Sequence, residues 1–167
     1  MPITLVVEDG TGLSTANTYI SLADAETYFE GRLNITDWDG ATDANKNIAL
    51  AMSAALLDDY FKFEGHKTTQ EQALSWPRYD IHIDGFHIPS TTIPQRLKDA
   101  CAEYAMWILR SDRTAEEDSV GFKSLKAGSL SMEIDPNDRA ATVPDVVVKM
   151  LAEIGTKIGG GNVKVTR

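Results

Sequence analysis

The chain has 167 residues, 43% of them hydrophobic and 25% charged, which suits one folded domain and excludes whole-chain disorder, collagen and coiled coil. Its 16 basic and 25 acidic residues give a net charge of −9 at pH 7, an unfavourable field for a protein that grips phosphates through a basic stripe. The single cysteine, Cys101, excludes an internal disulfide and a cysteine-based zinc site, and no apolar run approaches the ~20 residues that cross a bilayer.

Charge is uneven along the chain: residues 1–60 sum to −8, residues 61–120 to −3 and residues 121–167 to +2. Acidic and mildly basic ends at opposite termini suit head-to-tail contact between copies, or a solvated acidic surface. The opening Met1-Pro2-Ile3-Thr4-Leu5 carries no basic region or cleavage site, which points to synthesis in the cytoplasm.

In chain order, Ile3 to Val7 is β-branched and apolar and reads as a short strand. Gly10 to Asn17 is small and polar and reads as a turn, and Ser21 with Asp24 three residues later caps a helix to about Leu33. Asn34 to Thr42 reads as a loop whose Trp38 tucks back onto the core. Asp43 caps a longer helix with Ile48, Met52, Leu56 and Tyr60 as its apolar stripe, ending near Phe61 to Gly65. Residues 81–88 alternate around Asp84-Gly85, a hairpin signal that sets Ile81 against Ile88, His82 against His87 and Ile83 against Phe86. Ile93-Pro94 opens a third helix with Leu97, Cys101, Tyr104 and Ile108 on one face. Residues 111–120 read as a charged loop, and residues 122–134 as a second hairpin broken at Ala127-Gly128. Pro144 opens a fourth helix with Val147, Leu151, Ile154 and Ile158 in helical spacing, stopped by Gly159-Gly160-Gly161. These elements predict a mainly α fold, a four-helix bundle with short hairpins at about 81–88 and 122–134 and extended termini. Residues 1–158 form one helical domain in this reading, and 159–167 a flexible tail.

Candidate chemistries are sparse. Opposed His82 and His87 have the spacing of two metal ligands, with Asp80 or Asp84 as a third, but no second cluster completes a site and a solvated polar face is the reading adopted. Cys101 falls on an apolar stripe and reads as a small hydrophobe, no serine elbow is present, and Asp58-Asp59 and Glu116-Glu117 read as solvated charge. The expectation is therefore a non-enzyme without metal or cofactor. Gly10-Thr11-Gly12 follows a strand but lacks the lysine of a phosphate loop, so it reads as a turn. Trp76-Pro77-Arg78-Tyr79 flanks an arginine with aromatics, as a single-strand groove would, and reads equally as a buried anchor at a loop corner, the reading preferred.

Three blocks carry a resemblance: Gly10-Thr11-Gly12 with Ala16-Asn17-Thr18-Tyr19 before the helix holding Tyr28-Phe29; Trp76-Pro77-Arg78 after Gln72 and Leu74; and Ile93-Pro94. Together with Gly128, Val143-Pro144 and the late glycines they span nearly the whole chain. In this order they resemble the tailed-bacteriophage family labelled DnaT-like single-stranded-DNA-binding proteins. The helical layout is similar to the head-completion, or head-to-tail adaptor, proteins that form a ring beneath the portal. The two labels imply different functions, and the −9 charge favours the adaptor. On that reading the protein is a structural virion component at the neck, assembled in host cytoplasm. Its partners are a ring of twelve copies, the portal protein and a downstream neck or tail protein, with genomic DNA passing through without specific binding and no membrane involved. The alternative is a single-stranded-DNA-binding replication accessory protein. The resemblance makes Trp76, Pro77 and Arg78 a structural or interface corner, and Gly10, Gly12, Asn17 and Tyr19 the turn before the first helix. The tail residues Val163, Lys164, Val165 and Arg167 become the portal-binding segment by strand addition.

Overall fold

The computed structural model describes residues 3–111 and 141–159 together with the backbone of two strands at 124–127 and 130–133. The elements follow in the order α1 (Leu22–Glu30), α2 (Thr36–Asp39), α3 (Asp43–Tyr60), β1 (Phe61–Phe63), β2 (His66–Lys67), β3 (Arg78–Tyr79), β4 (Ile81–Ile83), β5 (Phe86–Ile88), α4 (Gln95–Arg110), β6 (Ser124–Ala127), β7 (Leu130–Glu133), α5 (Asp145–Leu151) and β8 (Gly155–Lys157). The strands pair antiparallel as β1–β8, β2–β3, β4–β5 and β6–β7. The four-helix bundle is thus corrected: among the described residues five helices and four two-stranded ladders make a mixed α/β fold.

Local signals account for several boundaries. Ser21 Oγ accepts from the Asp24 amide at 3.1 Å, and its hydroxyl donates to the Asp24 carboxylate at 2.7 Å, so α1 starts at a capping pair. The segment expected as a loop contains the single turn α2, which presses Trp38 into the core 4.5 Å from the Phe29 ring. The Trp38 indole donates to Glu26 at 3.1 Å. Buried Lys46 reaches Glu26 at 2.7 Å and lies over the Trp38 ring at 5.1 Å. Hairpin β4–β5 has the register Ile81↔Ile88, His82↔His87 and Ile83↔Phe86.

Other expectations are overturned. Residues 3–7 form no ladder strand; a parallel bridge joins Val7 to Thr18, and the Asn17 side chain substitutes for a partner strand by accepting from Val6 N and donating to Thr4 O. The cap of α3 is Thr42 rather than Asp43. The buried face of α3 is Ala49, Leu50, Ser53, Ala54 and Leu57, rotated away from the expected stripe, and Ile48 is 44% exposed. Small residues decide this: Ala49, Ser53 and Ala54 let α4 approach until Ser53 Oγ lies 3.0 Å from Cys101 Sγ. The fourth helix ends at Leu151 instead of near Ile158, and after a turn the chain pairs with β1, Phe63 facing Gly155. That contact needs glycine, because a Cβ there would lie 2.9 Å from the Phe63 ring. No helix among the described residues is long and apolar enough to cross a membrane.

Candidate nucleic-acid interface

The resembling blocks, far apart in sequence, meet in space. At the first, the Glu8 carboxylate is buried and accepts from the amides of Gly10 and Gly12, each at 2.9 Å, and of Leu13 at 2.8 Å. Three converging N–H groups are the usual cradle of an anion, and here the chain's own carboxylate fills it. Gly10 has φ of 99° and packs so closely on the 89–92 turn that a Cβ would sit 1.9 Å from Thr91 O. Leu13 O then accepts from Ala73 N at 3.0 Å, which ties the opening turn to the segment before Trp76.

Tyr19 makes the second tie. It is fully buried, and its hydroxyl donates to Asp58 Oδ1 in a short hydrogen bond while accepting from the amides of Ser75 and Trp76 at 3.1 and 3.3 Å. Asp58 Oδ2 accepts from the same Ser75 amide at 2.7 Å. Burial pushes the Asp58 carboxyl above its ordinary range, outweighing the hydrogen bonds from Tyr19 and Ser75 that favour the charged form. Burial and the neighbouring Asp58 charge push the Tyr19 phenol well above its usual value. Asp58 is therefore a part of the frame and not the solvated charge its pairing with Asp59 suggests.

Around this knot the corner is closely packed and hydrogen-bonded. Trp76 is fully buried against Phe63 with ring centroids 6.0 Å apart, and the Trp76–Pro77 bond is cis. Buried Gln72 donates to Leu74 O and Pro77 O and accepts from Thr69 N. The Arg78 guanidinium donates to four main-chain carbonyls: Glu64 at 2.5 Å, Gly65 at 2.7 Å, Ser75 at 3.0 Å and Phe63 at 3.4 Å. Arg78 thus ties the end of β1 and the Glu64-Gly65 connection to the corner, with its donors directed inward.

The outer side of the corner carries the accessible rings. In ladder β2–β3, exposed His66 faces Tyr79 with ring centroids 5.4 Å apart, and exposed Lys67 faces Arg78. Tyr79 is 48% exposed, and Phe86 beside the next turn is 76% exposed. Lys62 on β1 is exposed as well. By strand alternation His66 and Tyr79 share one face of their ladder and Lys67 the other, while Lys62 belongs to the β1–β8 ladder; exposed rings with cations within a nucleotide's reach are what stacked bases and their phosphates require.

No catalytic constellation accompanies this face among the described residues. Burial pushes the Cys101 thiol up to about 11, which keeps it protonated at neutral pH. No group of three or more His, Cys, Asp or Glu is placed to hold a metal ion among the described residues. Of the residues singled out in the sequence, Gly10, Gly12, Asn17 and Tyr19 frame the opening turn, and Trp76, Pro77 and Arg78 form the corner. Val163, Lys164, Val165 and Arg167 lie outside the described residues. Sequence reading gives Glu8 and His66 no role and takes Asp58 as solvated charge, and it names Tyr79 beside Arg78 without its pairing to His66. A carboxylate two residues before a Gly-x-Gly turn was a usable signal for Glu8, whereas His66 and Tyr79 pair only through the ladder.

A family model described as "Putative DnaT-like ssDNA binding protein" matches residues 3–167. No curated protein and no solved structure matches the chain. A family so described conflicts with the expectation that DNA passes the protein without specific binding. The portal, the downstream neck or tail protein and a ring of twelve copies are set aside as partners with it. Net charge is a whole-surface sum and does not by itself exclude a contact built on stacking: residues 61–84 expose Lys62 and Lys67 alongside Glu64, Glu71, Asp80 and Asp84, so exposed rings and not a basic stripe would carry such a contact. Because the match runs almost from end to end, the chain belongs to the family of that description.

Proposed function

We propose that the protein binds single-stranded DNA in an accessory role, as a binding protein and not an enzyme, through the face formed by β2–β3 and the adjoining hairpin. The observation that carries the reading is the exposed Tyr79–His66 ring pair, one register position from exposed Lys67 on the other face of the ladder, on a corner packed by the buried Tyr19, Asp58 and Trp76. Bases stack on Tyr79 and on the exposed ring of Phe86, while Lys62 and Lys67 neutralise neighbouring phosphates. Stacking platforms accept any base, so the affinity is largely independent of sequence, and a duplex, whose bases are already stacked, is a poor competitor. The family's description supports the same ligand. The test is fluorescence anisotropy with a labelled single-stranded oligonucleotide, competed by the same sequence as single strand and as duplex. Preferential displacement by single strand is expected; no binding, or equal displacement by duplex, overturns the reading.

A further inference from the structure

His82 and His87 stand directly opposite each other on β4 and β5, one pair behind the turn. The turn residues Asp84 and Gly85 both have positive φ, 51° and 82°, the type I′ geometry that fixes a two-residue hairpin. Ile83 and Phe86 flank that turn as its hydrogen-bonded pair. By the alternation of an antiparallel ladder, His82 and His87 are then the next, non-hydrogen-bonded pair, in which side chains come closest. Both residues are exposed, and neither imidazole makes a hydrogen bond or ion pair among the described residues.

The ring centroids are 5.4 Å apart and the planes cross at 73°. Two imidazoles ligating one ion tetrahedrally, with metal–nitrogen bonds of about 2.05 Å and each nitrogen about 1.1 Å from its own centroid, have centroids about 5.2 Å apart. The hairpin therefore holds the rings within a few tenths of an ångström of the separation a chelate demands. The ladder fixes the backbone positions of both ligands before any ion arrives, which leaves only side-chain rotation to be ordered on binding.

The geometry points to a two-histidine chelate for a divalent transition-metal ion at this hairpin, with water completing the coordination. Imidazole pairs take zinc, nickel and copper and leave magnesium and calcium, which prefer oxygen ligands. Asp80 and Asp84 are not part of it, since no third His, Cys, Asp or Glu joins the pair among the described residues. Bridging β4 to β5, a bound ion stabilises the native hairpin by mass action. The site does not rest on the single-strand reading although both use hairpin β4–β5, because chelation needs the ring nitrogens of His82 and His87 and neither Tyr79, Phe86 nor the lysines.

The test is titration of the untagged protein with Zn²⁺ alone, followed by calorimetry and by the imidazole proton resonances. One ion per chain, shifts at His82 and His87 but not at His66, and loss of the calorimetric signal in both His82→Ala and His87→Ala are expected. His66→Ala should bind as wild type does. The resonance measurement uses the unaltered chain and so holds even if a variant folds poorly. No heat and no imidazole shifts on adding Zn²⁺, shifts at His66 instead, or undiminished binding by His82→Ala or His87→Ala would overturn the proposal.

Discussion

Arg78 and Tyr79 are neighbours with opposite tasks. Arg78 donates to four carbonyls and lies partly buried, whereas Tyr79 turns its ring outward. Replacing Arg78 with alanine leaves those carbonyls without their charged partner and should cost about 2–4 kcal/mol in urea unfolding, by the usual worth of charge-assisted hydrogen bonds. Tyr79→Ala should leave stability within about 0.5 kcal/mol, as surface substitutions do. Asp58 gives a pH signature. Its carboxyl holds a proton to higher pH than the ordinary 3.8, so above that value the folded chain binds more protons than the unfolded one. The stabilisation is fully present below 3.8 and is lost as pH rises through the higher folded value. Urea unfolding of wild type and Asp58→Asn should therefore show a larger gap at about pH 3 than at about pH 7. A gap that widens toward neutral pH would mean that the charged form is the one the fold favours.

At the scale of elements, α3 separates two readings of one pattern. Ile48, Met52, Leu56 and Tyr60 repeat every four residues, and so do Ala49, Ser53 and Leu57 beside them; the second set is buried, whereas in the first Ile48 is exposed and Leu56 and Tyr60 reach the core only at its edge. Leu50→Ala should cost about 2–5 kcal/mol as a buried truncation. Ile48→Ser should cost no more than about 0.5 kcal/mol, both read by chemical denaturation. Capping at Ser21, the helix starts at Pro94 and Pro144, the Asp84-Gly85 hairpin and the inward turn of Trp38 were legible in the sequence, because each depends on residues within a few positions. The β1–β8 ladder was not, because Ile154 and Ile158 continue a helical spacing that only distant Phe61–Phe63 interrupts. The candidate site divides likewise. Its frame was visible as blocks of unusual residues, while the closure of Tyr19 onto Asp58 and of His66 onto Tyr79 exists only once the chain is folded.

For the whole molecule, a net charge of −9 limits how binding can work. Long-range attraction to a polyanion is absent, so affinity rests on stacking at the face and on the few cations beside it. With Lys62 and Lys67 as the two exposed cations on β1 and β2, the slope of log affinity against log salt should be shallow, about −1.4 for a single strand. A steep slope would place the contact on another, more basic surface.

The most direct measurement compares single-strand affinity of wild type and Tyr79→Ala by anisotropy at several salt concentrations. The account predicts a loss of about 1–3 kcal/mol for the variant, the worth of one stacked base, with the salt slope unchanged. Equal affinity of the two proteins, or a loss that appears only as a change in slope, would contradict it.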